Sequence, residues 1–252
     1  MVVGVFCEQR EMHVTFELCA SCAQCLPAPI IKSLRIYDYV PQRGVYYLKE
    51  VIGCLRKAYM TRKASQVETH LSLRSLYAIK RGKIFGNMVD GSRWKELDGS
   101  LSFKVDGENA KLTARLDSYD PEKAMITELK SLEGIERKNL PRDKDVLQVK
   151  GYGTIFKSII PVRQLSIVYL DMNSFKQFSV PLVDLTDWLQ KRLFALHRAI
   201  RDSRPPDQEP SFECRFCEHR GNCNLTSAPF AKAATLKDRG LAEKAEFPRC
   251  HK

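Results

Sequence analysis

Apolar residues in the first part of the chain recur at the spacing of helices. Between residues 44 and 62 an apolar side chain returns every fourth position, beginning with Tyr47 and Val51, and basic residues fill the other side. This pattern predicts one amphipathic helix. Residues 66–97 predict one or two further helices, again rich in lysine and arginine. Residues 1–43 show little periodicity, so we predict an irregular extension there.

The pattern then changes to that of β-strands. Short apolar runs at 101–105, 110–117 and 124–130 predict three strands. The dipeptides Asp106-Gly107 and Asp120-Pro121 separate these runs and are typical of tight turns.

A helix and two more strands follow. Residues 145–158 predict a helix that crosses over to a strand at 164–170, and 175–182 predicts its hairpin partner. An apolar stripe predicts a last long helix over 185–201, which Asp184 could cap. The strand–helix–strand order predicts an α/β fold.

The charge balance favours a polyanionic partner. The 252 residues include 41 Lys+Arg and 30 Asp+Glu, a formal net charge of +11, which suits nucleic acid but also serves solubility alone. No apolar run approaches the roughly 20 residues that span a bilayer, and the N-terminal residues make a poor signal peptide. We therefore expect a cytoplasmic protein without a membrane partner.

Three short strings carry candidate catalytic residues. Asp117 ends one predicted strand, Glu128 and Lys130 lie two apart on the next, and Gln148 and Tyr152 lie one turn apart on the helix. Residues two apart on a strand face the same side, so the acid and the lysine would lie together. Each string also has an ordinary interpretation: an exposed ion pair, or an aspartate that begins a turn.

Such a set suits a hard divalent cation. Two carboxylates, from Asp117 and Glu128, and a main-chain carbonyl, that of Leu129, are ligands that Mg²⁺ or Mn²⁺ prefers. The cation would polarise a phosphodiester and lower the pKa of a bound water, and Lys130 would orient that water or neutralise developing charge.

Four cysteines predict a second metal centre. Cys54 stands alone, whereas Cys214, Cys217 and Cys223 form a tight run with x2 and x5 spacings. Four thiolates can hold a [4Fe–4S] cluster, a [2Fe–2S] cluster or zinc. A metal centre held by these four cysteines, the cysteine clip, would join distant parts of the chain. Because it would close a very long loop, it would contribute to folding.

A further set of cysteines lies near the N-terminus, at Cys7, Cys19, Cys22 and Cys25. The last three resemble the front of a ferredoxin run, but the usual fourth cysteine and proline do not follow. A second zinc knuckle is one interpretation. A disordered tail, or a start codon chosen too early, are the others.

The order Asp117, Glu128-Leu129-Lys130, Gln148-x3-Tyr152 resembles the D…ExK…QxxxY signature of RecB-type nucleases in the PD-(D/E)xK superfamily. With the four clip cysteines it resembles the iron–sulfur subgroup, which includes the AddB nuclease domain, the eukaryotic replication helicase–nuclease and the CRISPR-associated exonucleases of the Cas-four family. The short chain without a helicase is most similar to the last of these. The resemblance covers about residues 44–224, between the extension at 1–43 and a mobile tail at 225–252.

The resemblance implies a mixed central sheet flanked by helices, with a cluster-binding cysteine clip. It implies a [4Fe–4S] cluster on Cys54, Cys214, Cys217 and Cys223, and a Mg²⁺- or Mn²⁺-dependent exonuclease. The expected substrate is single-stranded DNA ends, trimmed in CRISPR adaptation before a CRISPR integrase complex inserts the spacer. Basic residues of the predicted helices would contact the DNA: Arg56, Lys57, Arg81 and Lys83.

The sequence departs from the family at the G-x3-H motif, whose histidine binds metal. Gly82 is followed at that spacing by Gly86, and the nearest upstream histidine is His70, which we interpret as a helix-surface residue. Ala114 also replaces the glycine of G-x2-D. We therefore expect weak metal binding and a preference for Mn²⁺, which tolerates an incomplete ligand shell better than Mg²⁺.

Two other functions are compatible with these residues. One is a non-catalytic or weakly active DNA-binding partner of an integrase complex, which the missing histidine favours. The other is a RecB-type DNA-repair nuclease outside CRISPR, which neighbouring genes would distinguish.

Overall fold

The computed structural model describes residues 2–22, 24–34, 41–63, 69–87, 94–217 and 219–223. The predicted tail at 225–252 lies outside these residues. In chain order the strands and helices are β1 (Val2–Cys7), β2 (Met12–Thr15), α1 (Phe16–Cys22), α2 (Ala28–Ser33), β3 (Val45–Tyr47), α3 (Leu48–Ile52), α4 (Leu55–Lys63), β4 (Thr69–Ser72), α5 (Leu73–Asn87), β5 (Trp94–Lys95), β6 (Asp98–Val105), β7 (Glu108–Arg115), β8 (Ser118–Asp120), β9 (Met125–Ser131), α6 (Asp143–Phe156), β10 (Gln164–Leu170), β11 (Phe175–Val180) and α7 (Thr186–Arg201).

The chain forms two compact units, each with its own hydrophobic core. The first unit comprises Met1–Pro41 and Lys63–Met88, and the second comprises Gln42–Arg62 and Val89–Lys252. This division differs from the predicted boundary at residue 43, because the segment 63–88 groups with the N-terminal residues.

The first unit corrects the prediction of an irregular extension. β1 pairs antiparallel with β2 and parallel with β4, and α1, α2 and α5 accompany this sheet. The strands are too short to show a period, which is why the sequence pattern missed them. His70 lies in β4 opposite Gly4, so its interpretation as a helix-surface residue was wrong. Seven buried apolar residues form the core: Val5, Val14, Phe16, Ala20, Ile31, Leu34 and Leu76.

The single helix predicted over 44–62 is also corrected. The segment forms β3, then α3, then α4, with a break at Gly53 and Cys54. Gly53 is extended there (φ −83°, ψ −166°). Glycine is a poor helix residue, and side chains from distant parts of the chain bond the main-chain groups exposed by the break. The residues 66–97 likewise divide into β4, α5 and β5, so only α5 matches the predicted helix.

The second unit contains two sheets in its described part. One has the order β3-β7-β6, and the other has the order β11-β10-β9-β8-β5 with a parallel β9–β10 pair among antiparallel neighbours. The predicted turn between β6 and β7 is confirmed: Asp106 and Gly107 both have positive φ, at 50° and 88°. The mixed α/β fold predicted from the strand–helix–strand order is likewise confirmed.

Helix α6 is buried along almost its whole length, from Asp145 to Phe156. Glycines allow this close packing. A Cβ on Gly151 would lie 2.7 Å from Leu48 of α3, and one on Gly153 would lie 3.2 Å from Leu165 of β10. Helix α7 covers the core with the predicted apolar stripe. The predicted cap is corrected, because Leu185 and not Asp184 holds the N-cap position; Asp184 lies one residue earlier and accepts a hydrogen bond from the Thr186 N–H (2.9 Å). No helix in the described ranges has the length and hydropathy needed to cross a membrane.

The close approach at Gly151 gives a stability prediction. We expect Gly151→Ala to lower the free energy of unfolding by about 1 to 3 kcal/mol, because the buried Leu48 must move to accept the methyl group. Urea denaturation followed by circular dichroism measures it.

Gly86→Ala in α5 is the matched control, since a Cβ there meets no atom within 4 Å. It should be neutral or stabilising by about 0.5 to 1 kcal/mol. Equal stability of the Gly151 variant and the wild type would contradict the packing described for α6.

Candidate functional site

Asp117 lies where the β8–β9 ladder ends. The last paired residues are Ser118 and Thr127. Beyond this pair the contact with β9 is made by a side chain. The Asp117 Oδ2 atom accepts a hydrogen bond from the Leu129 N–H at 2.9 Å. The carboxylate of Asp117 is thereby fixed beside the next residues of β9.

Glu128 and Lys130 project from the same side of β9, as the strand spacing predicted. Glu128 is 1% exposed, and Lys130 donates a hydrogen bond to its Oε1 atom. Burial raises the pKa of Glu128 to about 7, even though Lys130 opposes this shift. Burial alone would lower the pKa of Lys130, but the nearby carboxylates of Glu128 and Asp145 raise it instead.

The second oxygen of Glu128 differs from the first in its hydrogen bonding. The Oε2 atom is buried and accepts no hydrogen bond of normal geometry from the described residues, although the Tyr152 hydroxyl lies near enough to Glu128 for their interaction to raise the pKa of Tyr152. An unpaired buried carboxylate oxygen is costly, because it loses water without replacement. A bound cation would remove that cost, so the donor set fits a hard divalent ion.

Helix α6 positions the lysine. The Gln148 Oε1 atom accepts a hydrogen bond from Lys130 Nζ at 2.9 Å, and Gln148 Nε2 donates to the Tyr152 hydroxyl at 2.6 Å. Burial, followed by the charges of Glu128 and Asp117, raises the pKa of Tyr152, so its hydroxyl keeps its proton. The structure thus brings all five predicted catalytic residues into one cluster.

Asp145 is a member of this cluster that the sequence reasoning missed. Its Oδ1 atom lies 3.6 Å from Lys130 Nζ, and its Oδ2 atom accepts a hydrogen bond from the Tyr169 hydroxyl at 2.7 Å. The Tyr169 oxygen in turn accepts from the Arg142 N–H at 3.0 Å. The sequence feature that could have identified Asp145 is its position three residues before Gln148, which puts both side chains on the same face of α6.

Metal ligation at this cluster would depend on main-chain oxygen and water as well as carboxylates. Across the described ranges, no three His, Cys, Asp or Glu side chains are grouped as metal ligands. Asp117 and Glu128 supply two carboxylates, and the predicted third ligand is the carbonyl of Leu129. Leu129 follows Glu128 in β9, where it is paired with Val168 of β10.

The clip cysteines all belong to the second unit and are half-buried. Cys54 follows the break after α3, where its Sγ atom accepts a hydrogen bond from the Lys57 N–H at 3.5 Å. The Cys214 Sγ atom accepts from the Ser211 N–H at 3.3 Å. Burial raises the pKa of the Cys54 thiol, and Cys214 is close enough to contribute. Main-chain N–H groups that donate to sulfur are a feature of thiolate-held metal centres. Across the described ranges, however, no three of these cysteines are grouped as metal ligands, so a cluster or zinc at the clip stays a prediction.

Arg192 of α7 connects the helix break before Cys54 to the segment that precedes the other three clip cysteines. It donates to the carbonyls of Val51 and Gly53 at 2.6 and 2.5 Å and pairs with Glu209 at 2.6 Å. Glu209 also accepts from the Leu55 N–H at 3.2 Å, at the start of α4. The main-chain groups freed at the helix break are therefore bonded by one ion pair.

The predicted DNA-binding residues fall into two groups. Arg56 and Lys57 lie on α4, and Arg81 and Lys83 lie on α5 of the first unit. Arg56 is half-buried and donates to the Pro206 carbonyl at 3.0 Å, which assigns it a structural contact as well. Lys57 and Lys83 are exposed. DNA contact by these four residues stays a prediction.

Comparison with known proteins finds a solved structure with a similar fold. No protein-family model matches the chain, and no curated protein matches it. Among solved structures, that of SSO0001 is similar with a TM-score of 0.56 at 17% identity, over 75% of this chain and 91% of that chain. This likeness shows a shared fold. The structure of Scheffersomyces stipitis Rai1 in complex with (3'-NADP)+ and calcium ion gives a TM-score of only 0.27 at 11% identity, over 71% of this chain and 65% of that chain, which is too low to indicate a common fold.

The Arg192–Glu209 pair gives a second stability prediction. We expect Glu209→Gln to lower the free energy of unfolding by roughly 2 kcal/mol, because it leaves the partly buried Arg192 without its counter-charge. Thermal and urea denaturation measure the change.

The matched control is Glu213→Gln, four residues along the chain. Glu213 pairs with Lys144 in solvent, so its loss should change stability by less than about 0.5 kcal/mol. Equal effects of the two substitutions would show that the pair at the helix break contributes no more than a surface pair.

Proposed function

We propose that this protein is a metal-dependent deoxyribonuclease with a cysteine-held cluster. The observation that carries the proposal is the buried Glu128 carboxylate, which keeps one oxygen unpaired beside Asp117 and Lys130. A buried carboxylate oxygen without a partner among the described residues calls for an explanation, and a bound cation would supply one.

Each residue has a role that its position supports. Asp117 and Glu128, with the Leu129 carbonyl, would hold Mg²⁺ or Mn²⁺. When bound, the cation would polarise a phosphodiester and lower the pKa of an attacking water. Lys130 would orient the water or neutralise charge on the phosphate. In moving towards the water or the phosphate it would leave the carboxylate of Glu128, which would then bind the cation.

The surrounding residues would hold Lys130 in position. Gln148 accepts from its ammonium group, and the Tyr152 hydroxyl fixes the orientation of the Gln148 amide. Asp145, held by Tyr169, adds a second negative charge near the ammonium group. These contacts keep Lys130 charged, which suits a residue that stabilises an anionic transition state.

The finer assignment rests on the resemblance stated above, together with the shared fold. We propose exonuclease activity on single-stranded DNA ends, a [4Fe–4S] cluster on Cys54, Cys214, Cys217 and Cys223, and a role in CRISPR adaptation with an integrase complex. The cluster would be structural, since its ligands join α4 to the segment after α7.

Gly86 favours a second candidate function, that of a non-catalytic DNA-binding partner. Glycine stands where the family has a metal-binding histidine, and the side chain of Lys130 neutralises one oxygen of Glu128. A protein that kept the fold while losing metal affinity would have these features.

The active-site prediction distinguishes the two functions. Asp117→Asn and Glu128→Gln should lower Mn²⁺-dependent cleavage of single-stranded DNA at least ~100-fold and should weaken Mn²⁺ binding measured by calorimetry. Lys130→Ala should lower cleavage to a similar extent while Mn²⁺ binding remains, because it removes transition-state stabilisation and no ligand.

Asp120→Asn is the matched control. The Asp120 carboxylate accepts turn hydrogen bonds from Glu122 and Lys123, and Asp120 is paired with Met125 at the other end of the β8–β9 ladder, so activity should be retained. If the wild type cuts no DNA at any concentration of Mn²⁺ or Mg²⁺, the non-catalytic function replaces the proposal.

The basic helices give a prediction about DNA binding. Lys57→Gln with Lys83→Gln should weaken binding of single-stranded DNA and lower the slope of log affinity against log salt by about 0.7 for each lysine that contacts a phosphate. Fluorescence anisotropy over a salt series measures both. Arg56 is left intact because it holds Pro206.

The control replaces Lys232 and Lys237 of the tail by glutamine, which changes the net charge equally. A salt slope lowered as much by the tail substitutions would mean that only diffuse charge, and no defined lysines, attracts DNA.

A further inference from the structure

The four N-terminal cysteines lie on adjacent elements of the first unit. Cys7 is the last residue of β1, Cys19 and Cys22 are one turn apart at the end of α1, and Cys25 follows three residues later. Cys7 and Cys19 both pack against the same small hydrophobic core. The fold therefore adds to the three-cysteine run a fourth cysteine from a separate strand.

The elements that carry these cysteines are joined by packing and by one side-chain contact. Arg10, in the turn after β1, donates from Nη2 to the Cys22 Sγ atom over 4.0 Å, which connects that turn to the end of α1. Burial raises the pKa of Cys19, and the neighbouring thiols Cys25, Cys7 and Cys22 raise it further. Helix α1 packs against β1 and β2, so the strand end that carries Cys7 and the helix that carries Cys19 and Cys22 are neighbours.

The first unit has a thin core that a metal would reinforce. Seven buried apolar residues form it, while six large apolar side chains of the unit remain exposed: Met12, Leu18, Ile30, Tyr77, Ile79 and Ile84. Units of this size commonly use a disulfide or a metal to gain stability. None of the four cysteines forms a disulfide within the described residues.

We propose that Cys7, Cys19, Cys22 and Cys25 form a second tetrathiolate metal site, separate from the clip at Cys54. Zinc and an iron–sulfur cluster share this ligand chemistry, and each thiol would release its proton to solvent on binding. Within the described residues the thiols are not yet gathered at coordination distance, so binding would draw them together. This proposal is independent of the nuclease function.

The test measures zinc, iron and acid-labile sulfide per full-length chain after anaerobic purification. Cys19→Ser with Cys22→Ser should remove one metal centre and leave the rest. Cys54→Ala with Cys217→Ala should remove the clip's centre and leave the N-terminal one. Loss of a single zinc identifies a zinc site, and loss of iron with an equal amount of sulfide identifies a cluster.

Cys250→Ser is the matched control, because it removes a thiol that belongs to neither set. It should leave the metal content unchanged. Equal zinc and iron in the wild type and in the Cys19/Cys22 variant would overturn the proposal.

A second measurement covers the case in which that variant fails to fold. Alkylation of the wild-type protein, read by mass spectrometry, should show the four N-terminal cysteines protected until a chelator or acid removes the metal. Free reaction before that treatment, or a disulfide among these cysteines, would also overturn the proposal.

Discussion

Burial of the Glu128 carboxylate is the constraint on which the second unit depends. A charged group taken out of water costs several kcal/mol unless it is paired and hydrogen-bonded. Lys130 supplies the pairing for one oxygen, and Gln148 and Asp145 in turn hold the lysine. These contacts hold α6 beside β9, while the glycines of that helix allow its close packing against Leu48 of α3 and Leu165 of β10. Among the described residues the other oxygen of Glu128 has no hydrogen-bond partner, and this is the observation on which the proposed cation site rests.

A second constraint maintains the geometry around the clip. The break between α3 and α4 exposes main-chain groups that would be costly to leave without partners. Arg192 and Glu209 satisfy them from positions about 140 to 155 residues later in the chain. The same contacts bring Cys54 towards the segment that carries the other three cysteines. A cluster bound there would reinforce a connection that the protein side chains already make.

The sequence predicted what depends on local pattern. The strand at 164–170, the turn at Asp106-Gly107 and the cluster of Asp117, Glu128 and Lys130 follow from period, turn residues and strand spacing. It missed what depends on distant partners. The helix break at Gly53 requires Arg192, the role of Asp145 requires Tyr169, and the N-terminal unit requires a strand from residues 69–72. None of these partners is visible within a local window of sequence.

The most direct test of the central claim is a crystal structure of the full-length protein soaked in Mn²⁺, with anomalous diffraction. We predict a manganese peak within about 2.5 Å of Glu128 Oε2, an Asp117 carboxylate oxygen and the Leu129 carbonyl. Lys130 should then be turned from Glu128 towards Gln148 and Asp145. Ordered side chains of Glu128 and Lys130 that remain paired, with no anomalous density beside them at saturating Mn²⁺, would contradict the account.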